Sequence, residues 1–372
     1  MKFFLPILAA IMLVSCHGTG TDSNGKIYDD GGITVLDLHG SWYQMGRQYG
    51  ILAGDRMADV LQYLHGRIGA DQERVDSAAT IADKLYALYP DHLKEFFSGA
   101  SETSGLSLEE LKLCNASEYV EGVFLCSAMA SWEDYGAGKL VFGRNYDAES
   151  YSEIDKDLVV TVYHPDGGIP AATVGYAGEI YCVNGFNANG IFVELNNGMP
   201  SGGWTVHWDV CPSTTTLFEM LFSVRNLDDV DDFFHSTRSF ASFIIGVADK
   251  DEARSYEWCY DGVRRGDENY DKGLMVSTNH YVNDGWEFPV PGDAGSWNSI
   301  TRRCNLLDMA CRYKGTIDAE RMKEIMSTSI EDGGPAHYLT RYQIVAVPED
   351  MALSVFVPCV GEWVEIDLNK YF

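Results

Sequence analysis

Hydrophobic and polar positions follow a helical period before position 126 and mostly a strand period after it. Residues 33–38 alternate as a short strand, and 43–64 then carry apolar side chains at helical spacing. Ser41 is a typical N-cap for that first helix, and residues 71–100 and 107–119 predict two more. A glycine inside a helix costs about 1 kcal/mol by propensity. The several glycines of the first helix therefore predict that it packs closely against another element.

Short strand-like runs dominate the rest of the chain. They cover residues 158–163, 171–175, 191–196, 243–248, 253–258, 274–277, 342–347 and 351–358. Two helical stretches interrupt them, one starting at residue 214 and the other at residue 299. This order of elements predicts an α+β fold in which packed sheets carry helices on their outer faces.

One hairpin, residues 124–147, carries the candidate chemistry. Residues 127–132 and 140–142 predict two strands, and the glycines between them supply the turn. The hairpin returns Arg144 and Asp147 to the neighbourhood of Cys126. A cation beside a thiol lowers its pKa, and a carboxylate can orient an amine or a guanidinium, so these three residues form a candidate nucleophilic site.

Composition narrows the function. The chain has 372 residues, of which 46% are hydrophobic and 22% charged, enough for one large domain or two smaller ones. Its formal net charge of −28 repels nucleic acid and anionic membrane surfaces. We therefore expect no nucleic-acid partner.

The N-terminus is typical of an export signal. Met1-Lys2 precedes an apolar run, residues 3–14, which predicts a signal peptide over 1–15. The ending Leu13-Val14-Ser15-Cys16 resembles a bacterial lipobox, which implies lipidation of Cys16, a membrane anchor and a place in the bacterial cell envelope, facing the periplasm or the exterior. A polar stretch follows, so residues 16–32 are interpreted as a flexible tether. The alternative is an ordinary secreted protein with a chance cysteine.

The remaining cysteines do not predict a metal centre. They show neither CxxC nor Cys/His spacing, so no zinc site is expected. Apart from Cys16 and Cys126 there are seven, an odd number, so at least one stays free. An exported protein can form disulfides, but buried free thiols are equally compatible, and no bridge is assigned.

The Cys-Ser pair, the hairpin and the G-R-N-x-D segment together resemble the cysteine-type N-terminal-nucleophile (Ntn) hydrolases. This superfamily includes choloylglycine hydrolase, penicillin V acylase and the penicillin acyltransferase group, peptidase family C45, whose opening resembles residues 40–50. The resemblance implies a four-layer αββα sandwich and a nucleophile, Cys126, whose own α-amine serves as base. That amine exists only after the Leu125–Cys126 bond is cut, which divides the chain into a helical part, 33–125, and a catalytic part, 126–372.

Three later segments match the same superfamily in order. By this resemblance Asn196 supplies the oxyanion donor, with Asn197 as the alternative. Asn279, in Ser277-Thr278-Asn279-His280, polarises the substrate amide or holds the amine. Arg302, chosen over Arg303, places a guanidinium near the thiol. His280 leaves a Cys-His dyad open as a second possibility.

The resemblance implies a hydrolase that cleaves linear, non-peptide C–N amide bonds through a thioester. Its expected partner is a small-molecule amide, it needs no cofactor or metal, and it is a possible homo-oligomer. Acyl transfer of the penicillin acyltransferase type is the alternative chemistry. A surface lipoprotein that binds a ligand on an inactive scaffold of the same kind is the alternative outside enzymes.

Overall fold

Two β-sheets form the centre of the computed structural model, which describes residues 24–121, 124–149, 152–266 and 272–372. The strands are β1 (Lys26–Asp30), β2 (Ile33–Gly40), β3 (Phe124–Ser131), β4 (Val141–Ala148), β5 (Leu158–Pro165), β6 (Ala171–Tyr176), β7 (Asn184–Asn187), β8 (Phe192–Asn197), β9 (Phe243–Ala248), β10 (Ala253–Cys259), β11 (Gly262–Arg265), β12 (Leu274–Ser277), β13 (Thr340–Val347), β14 (Ala352–Phe356) and β15 (Trp363–Asp367). The larger sheet has the order β1-β2-β5-β6-β7-β8-β9-β10-β11, and the smaller β12-β3-β4-β13-β14-β15.

Helices cover the outer faces of both sheets. They are α1 (Trp42–Ile68), α2 (Gln72–Ala87), α3 (Asp91–Thr103), α4 (Leu108–Asn115), α5 (Ser117–Glu121), α6 (Met199–Gly202), α7 (Ser213–Leu221), α8 (Leu227–Ser236), α9 (Ser299–Arg312) and α10 (Ala319–Ser327). None of the helices in the described ranges is both long and apolar enough to span a bilayer.

Three hydrophobic clusters define four layers. One joins α1, α3, α7 and α8 to the outer face of the larger sheet, and another joins α9 and α10 to the outer face of the smaller. The third lies between the sheets, where the rings of Phe142 and Phe192 approach to 5.0 Å. The predicted αββα sandwich is confirmed.

Helix α1 begins and packs as its sequence predicts. Ser41 and Gln44 form a capping box, which satisfies free N–H groups at the helix start. A Cβ on Gly46 would lie 2.0 Å from the backbone oxygen of Phe96, in α3. The glycines are therefore required for the close approach of α1 to α3, as expected.

The hairpin differs in detail from its prediction. Its second strand is longer than residues 140–142, and residues 143–147 all lie inside β4. The register pairs Cys126 with Tyr146 and Leu125 with Asp147. Both faces of β4 are covered, one by the other sheet and one by α10, so all eight residues are buried. Burial on both faces masks the alternation that usually marks a strand.

The predicted flexible tether, residues 16–32, extends too far along the chain. Residues 26–30 form β1, which pairs antiparallel with β2 along its whole length, so this part of the predicted tether belongs to the folded sheet. The predicted signal peptide and Cys16 lie outside the described residues. Strand β2 pairs in parallel with β5, so the segments before and after Cys126 share one sheet.

Candidate active site

A cavity of about 220 Å³ lies beside the thiol of Cys126. Its wall is mostly apolar and includes the side chains of Tyr119, Trp204 and Phe243. Cys126 reaches it from β3, next to Arg144 on β4. The two side chains share a face because Ala128, two residues from Cys126, is the register partner of Arg144.

The guanidinium of Arg144 is fixed against the thiol. Its Nη2 lies 3.1 Å from Cys126 Sγ and also donates to the carbonyl oxygen of Leu195 at 2.6 Å. Its Nη1 donates to the carbonyl oxygen of Val183 at 2.8 Å, and its Nε lies 3.3 Å from the carboxylate of Glu194. A cation held on every side cannot swing away, and its charge beside the thiol disfavours a metal ion there.

Glu194 is a site residue that the sequence analysis missed. It is buried in β8, where burial raises its pKa to about 7 against the opposing effect of Arg144. Ser277 Oγ donates to it at 3.2 Å. The available signal was a carboxylate between the apolar residues Val193 and Leu195 of a predicted strand, which requires a buried partner.

The thiol itself is less acidic than predicted. Burial raises the pKa of Cys126 to about 11, and Arg144 only partly offsets this, while Asp147 and Glu194 act in the same direction as burial. The expectation of a lowered pKa is therefore wrong for the uncut chain, because desolvation outweighs one cation. At neutral pH the thiol keeps its proton and needs a base in order to attack.

Asn279 and Arg302 hold the backbone of Cys126. Its N–H donates to Asn279 Oδ1 at 3.1 Å, and its carbonyl oxygen accepts from Arg302 Nη1 at 2.5 Å. Arg302 Nη2 also donates to Asn279 Oδ1 at 2.6 Å. The structure thus brings both predicted residues to the nucleophile, and Arg302, not Arg303, makes the contacts.

Asp147 lies on the other face of the hairpin. Its register partner is Leu125, so its side chain points away from the cavity face occupied by Cys126. Its Oδ2 lies 3.8 Å from Arg302 Nη1, and Thr340 Oγ1 donates to its Oδ1 at 2.6 Å. Burial raises its pKa to about 6, opposed first by Arg302. The side chain of Asp147 therefore positions Arg302, and its charge also helps to raise the pKa of Cys126.

The two candidate oxyanion donors, Asn196 and Asn197, face opposite sides of β8. Asn196 is fully buried, and its Nδ2 donates to Ser277 Oγ at 2.9 Å and to Glu194 Oε1 at 3.1 Å. Asn197 instead lines the cavity with Cys126, and its Oδ1 accepts from the N–H of Met199 at 2.9 Å. Neighbouring residues of a strand face opposite ways. The structure therefore favours Asn197, the alternative, over Asn196.

His280 is engaged elsewhere. Its Nδ1 lies 2.7 Å from Ser299 Oγ, which also accepts from the backbone N–H of Asn279 at 2.7 Å. Burial lowers the pKa of His280 to about 4. The cavity lining does not include it, so the geometry favours a role in supporting the Asn279 segment over a Cys-His dyad.

A second missed residue, Glu118, lines the cavity from α5. Tyr146 Oη donates to its carboxylate at 3.3 Å. Burial, and next the charge of Glu179, raise its pKa to about 8, with Arg144 opposing. Near neutral pH this group is largely a neutral carboxylic acid that can donate a hydrogen bond into the cavity. It precedes Cys126 in the chain, as does the lining residue Tyr119.

No family model and no curated protein sequence matches the chain. Many solved structures are similar to parts of it, including the following three. The N-acylethanolamine-hydrolyzing acid amidase ortholog of Caenorhabditis elegans is 17% identical, with 60% of this chain and 93% of that chain covered and a TM-score of 0.46. A variant of conjugated bile acid hydrolase from Clostridium perfringens is 13% identical, with 66% and 93% covered and a TM-score of 0.48. Penicillin V acylase from Agrobacterium tumefaciens is 9% identical, with 66% and 87% covered and a TM-score of 0.41. Because these sequence identities and TM-scores are low, the chemistry has to be inferred from the geometry of this chain.

Proposed function

We propose that this protein is a cysteine-dependent amidohydrolase that cleaves linear, non-peptide C–N amide bonds through a thioester. The observation that carries the proposal is a thiol that faces an apolar cavity, 3.1 Å from an immobile guanidinium, with its own backbone N–H held by an asparagine. An inert core cysteine requires none of these groups.

Maturation is the first step of the proposal. The thiol of Cys126 attacks the carbonyl carbon of Leu125, the Leu125–Cys126 C–N bond breaks, and a thioester forms while the nitrogen takes up a proton. Water then hydrolyses the thioester, which leaves a carboxylate on Leu125 and a free α-amine on Cys126. The nitrogen that donates to Asn279 Oδ1 in the uncut chain becomes that amine. Since β2 pairs with β5, the two fragments stay joined through one sheet.

In the cut enzyme the α-amine supplies the missing base. An unperturbed α-amine has a pKa near 8, so a useful fraction is neutral at pH 7. It takes the thiol proton as Sγ bonds to the substrate carbonyl carbon, and Nδ2 of Asn197 with a backbone N–H stabilises the oxyanion. The C–N bond then breaks, and the leaving amine takes the proton from the α-ammonium. A water molecule then gives a proton to the α-amine and attacks the carbonyl carbon of the thioester. The C–S bond breaks, the carboxylic acid leaves, and the sulfur takes back the proton from the α-ammonium.

The cavity indicates the class of acyl group. Its wall is mostly apolar and its volume is about 220 Å³, so the acyl part of the substrate is expected to be apolar and of modest size. Glu118, as a neutral acid, adds one hydrogen-bond donor to that wall and would favour an acyl group with a polar atom at the matching point.

The protein is also proposed to be exported and lipid-anchored through Cys16. The support is in the sequence alone, in the apolar run over residues 3–14 and the Leu13-Val14-Ser15-Cys16 ending. A mass spectrum of the protein from a bacterial envelope tests lipidation and cleavage together. An acyl-bearing fragment starting at Cys16 and a fragment starting at Cys126 are the expected products.

Selective alkylation tests the nucleophile. Because Cys304, Cys311 and Cys359 are exposed, the assay uses a background in which all three are serine. Iodoacetamide should label Cys126 in the mature protein, a substrate amide should protect it, and a panel of N-acyl substrates should show turnover that Cys126→Ser abolishes. Cys182→Ser, another buried thiol, is the matched control. An unbroken chain with full activity, or turnover that survives Cys126→Ser, rules the proposal out. Added amines that appear in the product would identify acyl transfer.

A further inference from the structure

Three metal-ligand side chains converge on the larger sheet, away from the cavity. Asp37 and His39 lie two residues apart on β2 and so share a face, and His164 on β5 is the register partner of His39. The two strands are parallel, so the carboxyl ends that carry both histidines meet at one edge of the sheet. Strands β6 and β7 separate β5 from β8, which carries Asn197.

The ligand atoms of the three side chains point at a common centre. Oδ1 of Asp37 lies 2.8 Å from Nε2 of His39 and 3.1 Å from Nε2 of His164. The imidazole rings stack with centroids 4.1 Å apart and planes 9° apart, so both Nε2 atoms can approach the carboxylate from the same side. All three ligand atoms lie within 4.8 Å of one another.

These distances are those of ion pairs or hydrogen bonds when an imidazole carries its proton on Nε2. Asp37 Oδ1 and His164 Nε2 are both buried. Asp37 is only 6% exposed, so the two imidazoles, and not bulk water, surround its carboxylate. A buried carboxylate is costly unless it is paired, and a cation bound by all three atoms would pair it without placing a positive charge on each of two stacked rings.

From this convergence we infer that Asp37, His39 and His164 form a binding site for a divalent transition metal, of which Zn²⁺ fits best. Two imidazoles and one carboxylate are a common zinc ligand set. Tetrahedral zinc with ligands at about 2.0–2.1 Å separates them by roughly 3.3 Å. The distance from Asp37 Oδ1 to His164 Nε2, 3.1 Å, is near that value, and the distance to His39 Nε2, 2.8 Å, would lengthen by about half an ångström on binding. The side chain of His39 is 37% exposed, so water can occupy the fourth position. Gln48 supports the site by hydrogen bonding both backbone polar groups of His39.

The site would join two parts of the chain. Two ligands precede Cys126 and the third follows it, so the metal would tie β2 to β5 across the proposed cut. That consequence depends on the proposed maturation, whereas metal binding itself does not. The alternative is an ion-paired cluster in which protonated imidazoles face Asp37 without a metal.

Zinc titration of the full chain tests the inference. The protein is stripped with a chelator, freed of any affinity tag, and titrated with Zn²⁺ against a chromophoric chelator at neutral pH. One equivalent should bind, and Co²⁺ in its place should give the visible absorption bands of a low-coordinate site. His39→Ala and His164→Ala should each weaken binding by more than about 100-fold, beyond the loss typical of an outer partner. His235→Ala, an exposed histidine on α8, is the matched control and should bind normally.

Thermal melts show whether each variant is folded, so that misfolding is not mistaken for loss of the metal site. Zn²⁺ binds the folded state, so it should raise the melting temperature of the wild type and of His235→Ala. It should leave His39→Ala and the near-isosteric Asp37→Asn unchanged. Binding that persists in a His39→Ala, His164→Ala double variant would place the metal elsewhere. If the wild type binds no Zn²⁺, the three side chains form the ion-paired cluster without a metal. Either result overturns the inference.

Discussion

Replacing Asn197 by alanine should lower turnover by about 10²–10³-fold while leaving the fold nearly intact. The change removes the one amide of the Asn196-Asn197 pair that lines the cavity beside Cys126. Loss of one oxyanion donor typically lowers kcat by about 10²–10³-fold, or about 3–4 kcal/mol. The stability cost is the single hydrogen bond from the N–H of Met199, about 1 kcal/mol.

Asn196→Ala is the matched comparison, because the same atoms are removed one position away. It deletes two buried hydrogen bonds, to Glu194 and Ser277, which together are worth about 1–3 kcal/mol. The free energy of unfolding should therefore fall more than in Asn197→Ala. The rate should fall less, because the cavity keeps its donor.

The assay measures kcat and KM for the fastest amide of the panel and a thermal melt for each variant. Each sample is first checked by mass for a chain that starts at Cys126, so that failed maturation is not mistaken for failed catalysis. If Asn196→Ala loses more kcat than Asn197→Ala at an equal melting temperature, the assignment from the cavity lining is wrong.

Three further predictions concern maturation, positioning and pH. Cys126→Ser should remain a single chain on a denaturing gel where the wild type gives two fragments; equal cleavage in both would exclude self-processing. Arg302→Lys should lower kcat by about 100-fold, because one amine cannot hold both the carbonyl oxygen of Cys126 and Asn279, whereas Arg303→Lys should change kcat little. The raised pKa values of Glu194, about 7, and Glu118, about 8, mean that the folded state keeps protons that the unfolded chain releases above a pH of about 4.5. Stability should therefore decline as pH rises from about 5 to about 8, and Glu118→Gln should flatten that decline in a melting series; a slope that Glu118→Gln leaves unchanged would contradict this assignment.

Much of the layered fold could be predicted, because its signals are local. The helical period and the Ser41 cap located α1, and its glycines indicated the close approach to α3 that Gly46 makes. Strand-like runs after position 126 indicated stacked sheets. Strand β1 was missed because five exposed or half-exposed residues carry no buried face, and only their pairing with β2 orders them.

The candidate site was predictable as a set of residues but not as a geometry. Arg144, Asn279 and Arg302 were selected in the right places, and the structure gathers them around Cys126. The choice between Asn196 and Asn197 depends on which face of β8 meets the cavity, and a pair of adjacent asparagines does not carry that information.

The amino-acid sequence by itself determined the period of each segment, the caps and close-packing glycines, and which residue types could perform nucleophilic chemistry. Only the tertiary structure decided that Glu194 and Glu118 stand near the thiol, that Asp147 lies on the far face of the hairpin, and that the pKa of Cys126 is raised rather than lowered. The physical reason is the distance along the chain over which each interaction acts. Backbone propensity acts over a few neighbouring residues, whereas desolvation and charge pairing depend on segments that meet only when the sheets and helices have packed.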